Sequence, residues 1–294
     1  MIRSVGPAGP VKVLGLVGWQ LKYNLLAVAL IAAILLPMPD TVNPEDYSAI
    51  LATAGIAASI FVGFRNANAY QRWWEARTLW GAVINDCRAM HNGLSAVDTG
   101  SAEMAPVLDR MRRRQVRHAW QLAAELRGVA TLPGVVDLTE DPPDATATDL
   151  LNRQAQDVQW LAEGGHIDPP ARVMLMTVST ALVSSQGGLE RIRNQPIPVH
   201  YDMFVRGLAW VFALAAFELL HVAGHYVGSI ALGLLLMALF VSAERLGFFL
   251  ERPMNNSIFD LPMYRFCNTI TASLLGSGQP LAKPRQGDEA TVWW

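Results

Sequence analysis

SIFVGFRNANAYQRWWEAR, residues 59–77, decides the fold. An apolar run ends at Phe64, Arg65 and two asparagines follow, and a basic and aromatic cluster closes the stretch. No proline interrupts residues 65–97, so we predict one helix that leaves an apolar environment and continues into a polar one. The interpretation depends on whether the apolar half lies in a protein core or in a lipid bilayer.

The composition favours the bilayer. Of the 294 residues, 52% are hydrophobic and 16% are charged, whereas a soluble domain has about 25% charged residues. Spanning a bilayer takes roughly 17–25 apolar residues. Four segments meet this requirement, at about 20–36, 47–64, 204–222 and 226–243. Residues 173–192 contain too many polar groups, and we predict a buried helix outside the membrane for them.

The distribution of charge predicts the orientation. Neither the loop 37–46 nor the loop 223–226 contains Lys or Arg, so all 23 basic residues fall on the other side or at the span ends. This is the positive-inside pattern, and it predicts that both termini are cytoplasmic. The net charge of −2 gives no reason to expect a nucleic acid partner.

The pattern along the chain predicts an all-α protein, because no strand-like alternation occurs. Thr146 with Asp149 predicts a capped helix to about 162, and Pro169-Pro170 predicts the start of another, to about 193. The predicted regions are membrane helices in 20–64, a cytoplasmic helical domain in 65–203, membrane helices in 204–243, a helical segment in 244–276 and a loose tail in 277–294.

The second span carries two stripes at four-residue spacing. One stripe is bulky and consists of Ile56, Ile60 and Phe64. The other is small and allows close helix packing; it consists of Gly55, Ser59, Gly63 and Ala67. If several copies surround an axis, the bulky stripe forms apolar rings, which gate ions by dewetting. The alternative is that the stripe faces lipid or another helix.

The cluster that follows the amides also has two interpretations. It consists of Arg72, Trp73, Trp74 and Glu75. Trp and Arg at the cytoplasmic end of a span are ordinary interfacial anchors. Alternatively, Arg stacks on indole and pairs with Glu, which would join the span to the cytoplasmic domain.

These residues resemble a known family. The run from Phe64 to Glu75 looks like the pore helix and signature of the bestrophins, in their bacterial branch. LERIRNQPIP (189–198) and FDLPM (259–263) resemble two further family motifs, in the same order. The matching residues are Glu190, Arg191, Ile192, Asn194, Pro196, Ile197, Pro198, Asp260, Leu261 and Pro262.

The resemblance implies a homopentameric ion channel in the bacterial inner (cytoplasmic) membrane. Its partners would be the lipid bilayer and monovalent ions, and no cofactor is expected. The second span would line the axial pore. The family's three apolar neck rings map onto Ile56, Ile60 and Phe64.

The chain departs from the family pattern after the last span. Animal bestrophins have an acidic run there that binds Ca²⁺, an ion that prefers hard oxygen ligands. This chain instead has Asn255, Asn256 and Ser257, and Gln195 replaces a usual Thr in the earlier motif. We therefore expect no calcium activation of that kind.

The sequence contains arguments for a cation and for an anion as the permeant ion. Acidic residues of the outer loop, Asp40, Glu45 and Asp46, would surround the mouth with negative charge in a pentamer. Aliphatic rings at two of the three neck positions lack the positive aromatic edge that can favour anions. Arg65, directly after the neck, argues against cations. The sequence favours a cation (Na⁺) channel, and a chloride channel of the same architecture is the alternative.

Two non-channel functions fit parts of the sequence. Glu218, His221 and His225 share a helix face and form a weak candidate metal site, although they lack the Glu of H-E-x-x-H. The basic run 110–118 could bind lipid or protein in a scaffold, but a solvated helix face or subunit contact is the expected outcome. No nucleophile–base pair or phosphate loop is present, so no enzyme is predicted.

Overall fold

The computed structural model describes residues 9–37, 44–224 and 227–284, and within these ranges it contains helices and no strands. The α-helices are α1 (Gly9–Leu35), α2 (Pro44–Ala96), α3 (Met104–Arg127), α4 (Pro133–Val136), α5 (Ala147–Glu163), α6 (Pro169–Asn194), α7 (Val199–Gly224), α8 (Val227–Leu250) and α9 (Met263–Leu275). A 3-10 turn spans Pro280–Ala282. The predicted all-α class is confirmed.

Four of these helices, α1, α2, α7 and α8, are long and apolar enough to cross a membrane. The protein is therefore an integral membrane protein with four transmembrane helices and a helical domain outside the bilayer. Helix α2 is continuous for 53 residues, which corresponds to about 80 Å at 1.5 Å per residue. The single helix predicted for residues 59–97 is thus present.

The chain forms two compact units, and one of the boundaries between them along the sequence falls within α2, between Trp73 and Trp74. The membrane unit contains α1, the first part of α2, α7 and α8. The extramembrane unit contains the remainder of α2, α3 to α6, and α9 with the turn that follows it.

Small side chains allow close packing in the membrane unit. Its apolar core is formed by α1, α7 and α8 and contains Val28, Ala32, Ala213, Phe217, Met237 and Val241. On α2, a Cβ atom at Gly55 would lie 2.7 Å from the ring of Phe212, so glycine is needed for this approach. The other members of the predicted small stripe, Ser59, Gly63 and Ala67, are exposed in the single chain.

The basic run Arg110–His118 is not the solvated helix face that the sequence suggested. The side chains of Arg114 and Arg117 are buried, and Arg114 forms ion pairs with both Asp141 and Asp157. Burial alone would raise the pKa of Asp141, but the hydrogen bonds and charge of Arg114 hold that pKa below its ordinary value. The arginines therefore stabilise the interior of the extramembrane unit.

The helix starts follow their capping residues. The Thr146 side chain accepts the Asp149 N–H, and the Asp149 carboxylate accepts the Thr146 N–H, which completes a capping box at the start of α5. At the start of α6, the Asp168 side chain accepts the Ala171 N–H.

Two regions after α8 differ from the sequence prediction. The segment 244–276, predicted to be mostly helical, contains the end of α8 and all of α9, but residues 251–262 between them are irregular. The first part of the predicted loose tail is held in place, since Asn268 on α9 donates hydrogen bonds to the carbonyls of Leu281 and Lys283. Residues 285–294 lie outside the described ranges.

His118 on α3 is buried, and its Nε2 lies 2.9 Å from Oε1 of Gln186 on α6. Gln186 in turn donates to Thr148 and Glu190. Burial disfavours the charged imidazolium and lowers the pKa of His118 to about 4. The neutral ring is therefore part of the folded state.

This burial predicts how stability depends on pH. An unfolded His118 takes up a proton near its ordinary pKa of 6.5, but the folded protein does so only near 4. Stability is therefore complete above the unfolded pKa and decreases by about 3 kcal/mol as the pH falls through this window. Thermal unfolding of purified protein, followed between neutral pH and pH near 4, measures the decrease.

His118→Gln keeps a polar partner for Gln186 and removes the titrating group, so we expect it to flatten the pH dependence. The matched control is His200→Gln, because His200 is exposed. If His118→Gln and His200→Gln proteins lose stability with the same pH dependence as the unmodified protein, the explanation is wrong.

Candidate pore-lining site

The bulky stripe of α2 is uncovered in the single chain. Ile56, Ile60 and Phe64 are 65%, 50% and 64% exposed, respectively. The buried side of the same helix contains Ala58 and Val62, which are at most 5% exposed. The membrane unit therefore packs α2 through a side that contains Ala58 and Val62 and leaves the bulky stripe available to another surface.

The exposed face of α2 is uncharged over the length of the span. Between Tyr47 and Gln71 the sequence contains one charged residue, Arg65, and its side chain is 0% exposed. The exposed residues that follow the apolar stripe are uncharged, and they include Asn68 and Gln71. An ion that moved along this face would meet no formal charge in this part of the chain.

Arg65 is the centre of a buried charge cluster. Its Nη1 donates to the backbone carbonyl of Glu244 at 3.0 Å and to Oε1 of the same residue at 2.7 Å. Its Nη2 donates to Asp202 and, at 3.5 Å, to Oε2 of Glu251. One guanidinium group thereby binds groups from α7, α8 and the residue directly after α8.

Two further arginines balance the acids. Arg206 pairs with Asp202, with Nη2 and Oδ2 2.9 Å apart, and Nε of Arg245 lies 2.8 Å from Oε2 of Glu244. With Arg65, three cations thus pair with three carboxylates. Buried charges are tolerated when they are paired and hydrogen-bonded, whereas removal of one partner costs about 3–5 kcal/mol.

Two residues that follow Arg65 attach α2 to α8 and to the residue directly after α8. Asn66 Nδ2 donates to the Ala243 carbonyl at 3.0 Å, and Nε of Arg72 donates to the Glu251 carbonyl at 3.0 Å. Gly247 allows this approach, because a Cβ atom there would overlap with the amide of Asn66. The inner part of the membrane span of α2 is therefore held by polar contacts.

The Arg-Trp-Trp-Glu cluster lies where the two units meet along α2. Trp73 stacks on Tyr70 in the membrane unit, with ring centroids 6.3 Å apart. In the extramembrane unit, the carboxylate of Glu75 pairs with Arg191. Glu75 thus pairs with a residue of the LERIRNQPIP motif, while Arg72 bonds the Glu251 carbonyl.

The two other motifs occupy helix ends. Glu190 accepts a hydrogen bond from Gln186, Ile192 is buried, and Asn194 is the last residue of α6. Pro196 and Pro198 lie in the connection to α7, and Leu261 and Pro262 directly precede α9. These residues therefore lie at helix ends and in the connections between helices.

The loop after α8 is closed by protein groups. Asp260 is fully buried, and its carboxylate accepts the Asn256 N–H and the Ser257 hydroxyl, both at 2.7 Å. Asn256 has a φ of 62°, in the left-handed region that Asn tolerates better than most residues. Arg127 adds a bond from its Nη2 to the Leu261 carbonyl. Both oxygens of the carboxylate thus accept hydrogen bonds from donors of the loop itself.

Several predicted site residues fall outside what the structure describes. Asp40 and His225 lie outside the described ranges, and only the helical backbone is described for Glu45 and Asp46. His221 stacks on Phe217, with centroids 6.2 Å apart. Among the described residues, no group of three or more His, Cys, Asp or Glu side chains is placed to hold a metal ion.

A family model described as Bacterial/Fungal Bestrophin protein matches residues 12–276. The chain belongs to the bestrophin family. The family that the three motifs indicated is therefore the correct one, and the match includes both units of this bestrophin.

Individual relatives support the same family assignment. A protein from Ralstonia nicotianae, named voltage-dependent anion channel-forming protein RSc3414, is 26% identical over 87% of this chain and 83% of its own length. The similarly named mll4386 of Mesorhizobium japonicum is 26% identical over 54% of this chain, which spans about half (52%) of that relative. A crystal structure of a mutated bestrophin homologue from Klebsiella pneumoniae has 26% identity and a TM-score of 0.72, and the match covers 88% of this chain and all (100%) of the other.

Sequence reasoning did not find the partners of Arg65 in this bestrophin. Glu244 lies at the end of a strongly apolar run, and a charged residue in such a position has a buried partner or a function. That signal was present, but nothing in the sequence tells which of the acidic residues, Asp202, Glu244 or Glu251, meets Arg65. Each of these contacts joins two residues that are separated by between 137 and 186 positions in the sequence.

The closed loop predicts the response to calcium. Because Asp260 already accepts hydrogen bonds from Asn256 and Ser257, and the acidic run is replaced by amides, we expect ion flux to be the same with micromolar calcium and with a chelator. Liposome flux measured under both conditions tests this expectation. Steep activation by calcium would contradict it.

Proposed function

We propose that five copies of this bestrophin form an ion channel in the bacterial inner membrane, with α2 around the axis and both termini in the cytoplasm. The observation that supports it best is the exposure of Ile56, Ile60 and Phe64 on a helix whose other face is packed. In a pentamer, each position would become a ring of five apolar side chains. The lipid bilayer would surround α1, α7 and α8.

The chemistry of such a neck is a hydrophobic gate. A narrow passage lined by Ile and Phe offers no hydrogen bonds to water, so the water column breaks and hydrated ions do not enter. Passage then requires the rings to move apart or to become wet. The neutral face of α2 between Tyr47 and Gln71 suits this mechanism, because a charged group would keep the passage wet.

We favour monovalent cations, Na⁺ among them, as the permeant ions. The sequence argument against cations was Arg65, but its guanidinium is fully buried and bound to Glu244, Asp202 and Glu251. The positive charge of Arg65 near the neck would therefore be compensated by three carboxylates and would repel a cation only weakly. The acidic residues Glu45 and Asp46 near the start of α2 would attract cations to the outer mouth.

Chloride is the second candidate, and a different observation favours it. Relatives with 26% identity are named voltage-dependent anion channel-forming proteins. A chloride channel of the same architecture would use the same neck and the same neutral face of α2. The two candidates differ in the sign of the permeant ion and not in the gate.

The neck is tested by truncation. Phe64→Ala and Ile60→Ala each widen one ring and reduce its apolar surface, so we expect ion flux through purified protein in liposomes to rise about tenfold, as for a barrier lowered by about 1.4 kcal/mol. The change removes few contacts within the single chain, because both side chains are at least half exposed.

Leu239→Ala on α8 is the matched control, since Leu239 is 55% exposed in a span but lies on another helix. It should leave the flux unchanged. If Phe64→Ala and Ile60→Ala behave like Leu239→Ala, then the stripe faces lipid and the proposed neck is wrong. Monomeric protein after purification would also reject the proposal.

The permeant ion is tested by reversal potentials in planar bilayers under a NaCl gradient. For the cation channel we expect a value close to the sodium equilibrium potential, and neutralisation of the outer acids by Glu45→Gln with Asp46→Asn should shift it toward zero. A value close to the chloride equilibrium potential would reject the cation proposal and support the second candidate.

A further inference from the structure

Arg65 and Phe64 are adjacent in sequence but opposite in environment. The Phe64 side chain is 64% exposed, whereas Arg65 is fully buried. Successive residues of an α-helix project about 100° apart around its axis. A contact that fixes the direction of Arg65 therefore also fixes the direction of Phe64.

The contacts of Arg65 are well suited to this role. A guanidinium group is planar and donates in a fixed fork geometry, so several acceptors define its orientation. Here the acceptors are Glu244, Asp202 and Glu251, from two helices and the chain directly after α8. A rotation of α2 about its own axis would break these bonds and separate buried charges.

The described hydrogen bonds from α2 to α8 and to the residue after it lie at the inner end of the neck. Asn66 and Arg72 bond carbonyls of Ala243 and Glu251, on the same side as Arg65. Near the outer end, the described contact at Gly55 is with the ring of Phe212, and the Ser59 hydroxyl bonds the Gly55 carbonyl within α2 itself. Apolar contacts and bonds within the helix do not oppose rotation as strongly as a buried ion pair does.

We propose that Arg65 is a positioning residue for the channel: its buried cluster sets the rotation of α2 and thereby holds the Phe64 ring in the ion pathway. The inference rests on the proposed function for its effect on flux, but the rotation itself is independent of conduction. The effect should be largest at Phe64, which is adjacent to the cluster, and smallest at Ile56, which is more than two helical turns away.

Gly247→Ala is the main test, because it changes no charge. The added methyl group would overlap with the amide oxygen of Asn66, so the Asn66 side chain should turn away and lose its bond to the Ala243 carbonyl. This loosens the inner end of α2 from α8 and lets Phe64 turn from the pathway. We expect ion flux in liposomes to rise about fivefold or more, as for a shift of about 1 kcal/mol between closed and open arrangements. Arg65→Lys, which keeps the charge and loses the fork, should raise flux in the same direction.

Gly233→Ala is the matched control. It lies on the same helix, and its added methyl group would be 3.0 Å from the ring of Phe217 on α7, so its steric demand falls between α7 and α8 and not on α2. This variant should leave the flux unchanged. Comparison of the two alanine variants separates movement of α2 from general loosening of the membrane unit.

A double variant tests whether the cluster acts through Phe64. In a Phe64→Ala background, Gly247→Ala should add little further flux, because the ring that it would release is already absent. Independent, multiplicative increases would show that the cluster affects conduction by another route and would overturn the proposal.

Thiol labelling measures the rotation without reference to flux. The native Cys87 and Cys267 are fully buried, so a thiol reagent should react with the position changed in Phe64→Cys protein. We expect its reactivity to fall when Gly247→Ala or Arg65→Lys is added, and to stay constant with Gly233→Ala. Unchanged reactivity with Gly247→Ala, or an equal change with Gly233→Ala, would overturn the proposal.

The two proposals can fail separately. If Phe64→Ala does not raise flux but Gly247→Ala still lowers the labelling, Arg65 positions the helix and the neck function is wrong. If Phe64→Ala raises flux and Gly247→Ala changes neither flux nor labelling, the neck stands and the positioning role is wrong.

Discussion

The membrane unit depends on one buried ion cluster. Arg65 is a full charge in a helix that otherwise presents apolar and neutral groups, and it is stable there because Glu244, Asp202 and Glu251 surround it. Desolvation of these groups is costly, and pairing with opposite charges offsets it. The cluster therefore specifies a single arrangement of α2, α7 and α8, in a way that contacts among Ala, Gly and Val side chains alone would not. The uncovered stripe on α2 follows from that arrangement.

The extramembrane unit uses the same principle with different residues. Arg114 is buried between Asp141 and Asp157, and His118 stays neutral against Gln186. In both units, polar side chains that looked like surface groups in the sequence are buried and bind groups from distant parts of the chain. A basic run such as Arg110–His118 is therefore a poor guide to a binding surface unless its acidic partners, here far away along the chain, are known.

Much of the fold could be predicted because it depends on local signals. Length and hydropathy identified the four spans, and the absence of proline after Phe64 identified the long α2. Thr146 with Asp149, and Pro169 with Pro170, marked helix starts. The partners of Arg65 could not be predicted, because spacing along a helix gives the direction of a side chain but not what lies opposite it. The hydrogen bonds from Asn268 to the carbonyls of Leu281 and Lys283 could not be predicted for the same reason.

The balance of charge in the Arg65 cluster has an electrical consequence. Moving one elementary charge through the membrane field is worth about 2.3 kcal/mol per 100 mV. The paired side chains, three arginines and three carboxylates, sum to zero. If they move together with the inner end of α2, the membrane potential does almost no work on them. Voltage sensitivity in this protein must then arise from other charges, or from the ions that enter the neck.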